Sequence, residues 1–189
     1  MKQNKKIPSL SWGFTPGSYY RKRYYKKALG SLVLGGYDKA RLAGESLSFS
    51  FYPDTGRELV VAIRDIKKIT QNSTGESLIN ESILAALDSS HPNIWLPIED
   101  CRLFEFAFSL SWNETLQMYF INETVHSKLQ RDNTTVVLTL ADDQVATKKI
   151  DIHIPYGSFD LTADHPLVES PRKYFPLKRA ANSTQVSLF

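Results

Sequence analysis

Asp88 closes the apolar run Ile83 to Leu87 and is followed directly by two hydroxyl residues, Ser89 and Ser90, in the stretch ILAALDSSHPNIWLP. An ionised carboxylate ending a strand that would otherwise be buried costs several kcal/mol unless hydrogen bonds or a partner compensate it. Ser89 and Ser90 can supply such bonds, and a carboxylate among hydroxyls suits acid–base chemistry on a water molecule. Asp and Ser are also ordinary turn residues, so the same trio can simply shape the turn into His91-Pro92-Asn93. The remaining reactive residues offer less. His91, His126, His153 and His165 fit no metal-ligand spacing, and Cys101, the one cysteine, cannot build a zinc cage. Neither a metal nor a cofactor is expected, and LGGYD lacks the Lys and the spacing of a phosphate-binding loop.

Six of the eight asparagines sit in N-x-S/T sequons: Asn72, Asn80, Asn113, Asn122, Asn133 and Asn182. Six together point to a glycosylated protein, secreted or displayed at the cell surface. The start, MKQNKKIPSLSWGF, is basic but has no apolar core of a secretory signal peptide. A piece of a longer secreted protein reconciles the two, and an odd cysteine in a secreted chain suggests a lost partner. No window approaches the length of apolar chain that spans a bilayer, so no membrane span is expected.

Charge is unevenly placed. The first 30 residues carry eight Lys or Arg and no acid, whereas the other 159 carry fifteen basic and twenty acidic residues, net −5. The basic run Tyr19 to Lys27, YYRKRYYKK, could in principle neutralise phosphate and stack bases. Glycosylation sequons argue against a nucleic-acid partner. Residues 1–29 are therefore read as a basic, Tyr-rich N-terminal segment.

The elements that must position Asp88 are mainly strands. Leu32 to Leu34, the alternating Leu47, Phe49 and Phe51, the β-branched run Glu58 to Thr70, Thr134 to Leu140 and Lys149 to Pro155 all read as strands. Turn clusters, YPDTGR at 52–57 among them, separate these runs. From Pro97 to Leu110 the apolar residues recur every three or four positions. Pro97 there suits a first helical turn, and Glu99 and Asp100 favour its positive end, which predicts one amphipathic helix near 97–110. A weaker helix or short turn is expected between Thr124 and Gln130.

Taken in order, several of these pieces resemble the carboxy-terminal lobe of a pepsin-type aspartic protease, particularly the secreted fungal branch. GSLVLGGYD at Gly30 to Asp38 resembles the entry into that lobe, and ILAALDSSHPNIWLP resembles the strand carrying its second catalytic aspartate. The helix IEDCRLFEFAF follows it, as do the later turn IPYGSFDL and the run-up YFPLKRAANSTQ to the closing strands. The similarity covers roughly residues 8 to 185, and the order and spacing of the pieces carry it.

The resemblance implies a mainly β chain, one lobe of the double-lobed β-barrel fold. The lobe would occupy 30–185, with the closing strand missing and 186–189 left as a truncated tail. It places Asp88 as one active-site carboxylate with loop support from Ser89 and Ser90. In the family two aspartates share a proton and hold a water, because like charges so close cannot both ionise. This chain departs from the family's Asp-Thr/Ser-Gly at Ser90 and has His91 where a supporting hydroxyl is usual. With one carboxylate of the pair, the expected function is an aspartic-endopeptidase-like lobe that is truncated or catalytically silent. Its expected partners are a missing N-terminal lobe, or a second copy supplying another Asp88, and an extended peptide. The alternative is a secreted β-rich module that binds a glycan or peptide without cleaving it.

Overall fold

A computed structural model describes residues 6–15, 29–42, 44, 46–54 and 56–188. The basic run Tyr19 to Lys27 lies outside them. Contacts divide the chain into two compact units, Met1–Glu45 and Ser46–Phe189.

In the first unit, β1 (Trp12–Thr15) and β2 (Ser31–Leu34) form an antiparallel pair with Trp12 opposite Leu34 and Phe14 opposite Leu32. Because side chains alternate along a strand, these four residues share one face, and all four are exposed. Gly35 leaves β2 at a φ of +85°, where a Cβ would also meet Pro8 at 2.6 Å. The expected boundary at 29/30 thus falls inside this unit, since the N-terminal segment supplies the strand that pairs with LVL.

Among its described residues the second unit holds two sheets and two α-helices. Its strands are β3 (Val60–Ile69), β4 (Ile83–Leu87), β5 (Ile94–Pro97), β6 (Leu110–Asn113), β7 (Met118–Ile121), β8 (Thr135–Ala141), β9 (Lys149–Pro155), β10 (Leu161–Ala163), β11 (Arg172–Phe175), β12 (Leu177–Ala180) and β13 (Ser187–Leu188). A seven-stranded sheet runs in the order β12-β5-β13-β4-β3-β8-β9, and a four-stranded one in the order β10-β11-β7-β6. β3, β8 and β9 coincide closely with the expected runs, because each carries the β-branched alternation that a half-buried ladder needs. A reversal beside β3 requires Gly75, at a φ of +68°, where a Cβ would collide with the Lys68 carbonyl oxygen.

Helix α1 (Ile98–Phe108) starts one residue after Pro97 and buries Asp100, Cys101, Phe104 and Phe108. The Phe104 and Phe108 rings stack at 5.8 Å, and Phe108 meets Phe175 of β11 at 5.1 Å. Ser109, left-handed at a φ of 51°, ends the helix. The weaker helical signal becomes α2 (Glu123–Arg131), whose first turn is capped by the Asn122 side chain accepting from Thr124 N–H at 2.7 Å.

Two expectations need correction. Leu47 to Phe51 forms no strand despite its alternation. Ser50 donates from its N–H and its hydroxyl to the Asp142 carboxylate, at 2.6 and 3.0 Å, so that a side chain takes the place of a ladder partner. Residues 186–188, expected as a tail without the closing strand, include β13. It pairs parallel to β4 and antiparallel to β5, with Val186 and Leu188 buried.

Candidate active-site loop and groove

Three backbone bonds to two neighbouring segments fix the end of β4. Ala86 N–H donates to the Val186 carbonyl at 3.0 Å, Leu87 N–H to that of Leu59 at 2.8 Å, and Asp88 N–H to that of Leu188 at 2.8 Å. The backbone of Asp88 is thereby pinned to β13. The strand is less buried at this end than its sequence implies. Ala85 is sealed, but Leu87 is 44% exposed, and the Asp88 side chain retains 40% exposure. The desolvation penalty expected for this carboxylate is correspondingly small.

Both Asp88 oxygens are occupied by its own turn. Ser90 donates to Oδ1 from its N–H at 2.9 Å and from its hydroxyl at 2.6 Å, and His91 Nδ1 lies 2.9 Å from Oδ2. An ionised carboxylate only accepts, so Nδ1 carries the hydrogen in that contact. The Ser90 oxygen also lies 2.8 Å from Nδ1, which knits the three side chains together. The Ser90 hydroxyl first, then its N–H and the His91 ring, hold the Asp88 carboxyl down to about 2. Among the described residues no other carboxylate contributes to that shift. Ser90, where the resembling family has Gly, turns its side chain back onto Asp88. Ser89 is exposed, and no hydrogen bond joins its side chain to Asp88.

Asp88 and His91 line a groove of about 770 Å³. One wall is the segment Gly56–Leu59, and the other comprises Trp95 with Thr184, Gln185 and Ser187. The turn carrying Arg57 is fixed by Arg57 N–H donating to the Asp54 carbonyl and Gly56 N–H to the Asp54 carboxylate, both at 2.9 Å. The turn cluster YPDTGR marked this wall as a turn but gave no sign that it faces Asp88. That meeting arises from the Leu87–Leu59 bond and the β3–β4 ladder.

The other reactive residues stand apart from the groove. His126 is buried with Nδ1 2.9 Å from the Tyr156 hydroxyl, while His153 and His165 are exposed elsewhere. Cys101 is sealed in the core with its sulfur 3.4 Å from the Leu96 carbonyl, and burial pushes its thiol up to about 12. It is neither a nucleophile nor within reach of a cysteine outside the core. Among the described residues no three His, Cys, Asp or Glu side chains group as metal ligands. No helix among the described residues is long and apolar enough to cross a membrane. Of the sequon asparagines, Asn72, Asn80, Asn122, Asn133 and Asn182 are exposed, and Asn113 is half-buried.

This architecture is a pepsin-like fold. The chain is similar to the crystal structure of an aspartic proteinase from Irpex lacteus, with a TM-score of 0.61 and 9% identity over 96% of this chain. It spans about half of that enzyme, 49% of its length. No family model matches the sequence, and no curated protein matches it either.

Proposed function

We propose that this chain is an aspartic-endopeptidase-like lobe, corresponding to the C-terminal half of a secreted fungal acid protease, and that it is catalytically silent alone. The observation that carries this reading is the saturation of Asp88 by Ser90 and His91, with no second carboxylate bearing on it. A lone carboxylate so strongly held in its ionised form cannot be both the base for a water and the acid for a scissile carbonyl. Hydrolysis then requires another acid, from a companion lobe or from a second copy. The exposed Trp12, Phe14, Leu32 and Leu34 face offers apolar surface for such association. Glycosylation at the six sequons accords with a secreted address.

The groove beside Asp88 supports the second reading, in which the lobe retains an extended peptide or a glycan without cleaving it. Trp95, half-buried in one wall, supplies the flat apolar surface that such ligands use. A cleavage assay on unstructured peptides at acid pH, with Asp88→Asn as control, tests the first reading, and direct binding of the same peptides tests the second. The silent lobe gives the same background rate in both proteins. Turnover by the monodisperse monomer that disappears in Asp88→Asn overturns it, and sedimentation establishes which species is assayed.

A further inference from the structure

Five buried side-chain polar atoms have no hydrogen-bond partner among the described residues: Arg57 Nη2, Asp65 Oδ1, Trp112 Nε1, Thr134 Oγ1 and Thr162 Oγ1. Only Arg57 among them belongs to the wall of the Asp88 groove. An unsatisfied buried donor is costly, and more so when it carries charge. Four other arginines are compensated: Arg41, Arg102 and Arg179 face carboxylates, and Arg172 lies over the Phe120 ring. Arg57 has no such partner among the described residues. The acids sharing its groove do not serve it, since Asp88 is taken up by Ser90 and His91, and Glu58 makes no ion pair with it.

We infer that Arg57 is the specificity determinant of this groove and receives a carboxylate carried by the bound peptide. This rests on the peptide-groove reading above and adds what that peptide must contain. The guanidinium is a planar fork of donors that matches a carboxylate in two parallel bonds, which a backbone amide cannot reproduce. Two bonds to Asp54 hold the backbone N–H groups of Gly56 and Arg57, which spares part of the ordering that binding requires. The carboxylate can be an acidic side chain or a free C-terminus, since the chemistry is shared.

The test uses the 189-residue chain and short fluorescent peptides that differ only in Glu or Gln at one position, with termini blocked, plus a set with a free C-terminus. Anisotropy should show one Glu peptide, or the free-terminus set, binding about tenfold or more tightly than its neutral match. Which set prevails identifies the source of the carboxylate. Arg57→Gln should abolish the preference between the Glu and Gln peptides, and Arg57→Lys should retain part of it. Equal binding of charged and neutral peptides overturns the inference while the groove reading stands. A preference that survives in folded Arg57→Gln overturns it too. If no peptide binds at all, the groove reading fails and this inference with it.

Discussion

Asp88 and Asp100 put the same side chain in two regions of one fold, and the outcome is opposite. Asp100, in the first turn of α1, accepts from the N–H and the side-chain amide of Asn80 at 3.0 and 2.9 Å. Asp88 accepts a comparable set from Ser90 and His91. Donors lower both groups, but Asp100 is only 3% exposed, and burial outweighs its bonds and raises its pKa. At Asp88 the water-facing position leaves the donors to prevail. Local hydrogen bonding therefore does not set a carboxylate's charge; the solvent left beside it decides which way the balance falls. One site is structural and sealed, and the other stays ionised beside a groove, held by its own turn.

The largest expected difference is in stability. Asp100→Ala strips two donors of Asn80 of their acceptor and should cost about 2 kcal/mol, seen as a lower urea midpoint. Asp88→Asn, at a solvent-facing turn, should lower the midpoint by clearly less. Equal losses would break the contrast.

The pH dependence should differ in sign. Asp100 is raised in the folded state, so between its ordinary value and its folded value the native chain holds a proton that the unfolded chain has released. Stability from this group is present at lower pH and falls as pH rises through that interval, and Asp100→Asn should remove the decline. Asp88 is lowered, so its contribution is present above the ordinary carboxylate value and is lost as pH falls toward about 2. Urea melts across the acid range, compared with each Asn variant, check both signs.

The smallest effect is the most local. Ser90→Ala removes the leading cause of the Asp88 shift and should raise its pKa from about 2 back toward the ordinary value, with His91→Ala raising it less. Carboxyl carbon NMR titration reads this directly. A greater rise in His91→Ala would make the imidazole, and not the hydroxyl, the main support.

Much of this was legible in the sequence where one segment determines its own structure. Ile150, Ile152 and Ile154 announced β9, and the three- and four-residue spacing of Cys101, Phe104 and Phe108 announced α1. Leu47 to Phe51 carries the same alternation as a strand, yet alternation cannot create a neighbouring ladder, and Asp142 captured Ser50 instead. β13 is two residues long and carries no periodicity to detect. Asp88 itself stood out as a carboxylate ending an apolar run, whereas His91 was noticed only as a departure from a supporting hydroxyl, since sequence does not show that its ring turns back onto Asp88. The groove was illegible for a different reason. Its walls come from 56–59, 87–95 and 184–187, which meet only through pairings between distant strands.

The place of β13 has a consequence for biosynthesis. The seam between β4 and β5 is filled by residues 187 and 188, roughly a hundred positions after β4 has been made. While the ribosome is still adding them, β4 and β5 present unpaired edges and Asp88 lacks its backbone anchor on Leu188. The nascent chain must therefore wait with its sheet unsealed, a period in which a chaperone or a second nascent copy can occupy the vacant slot.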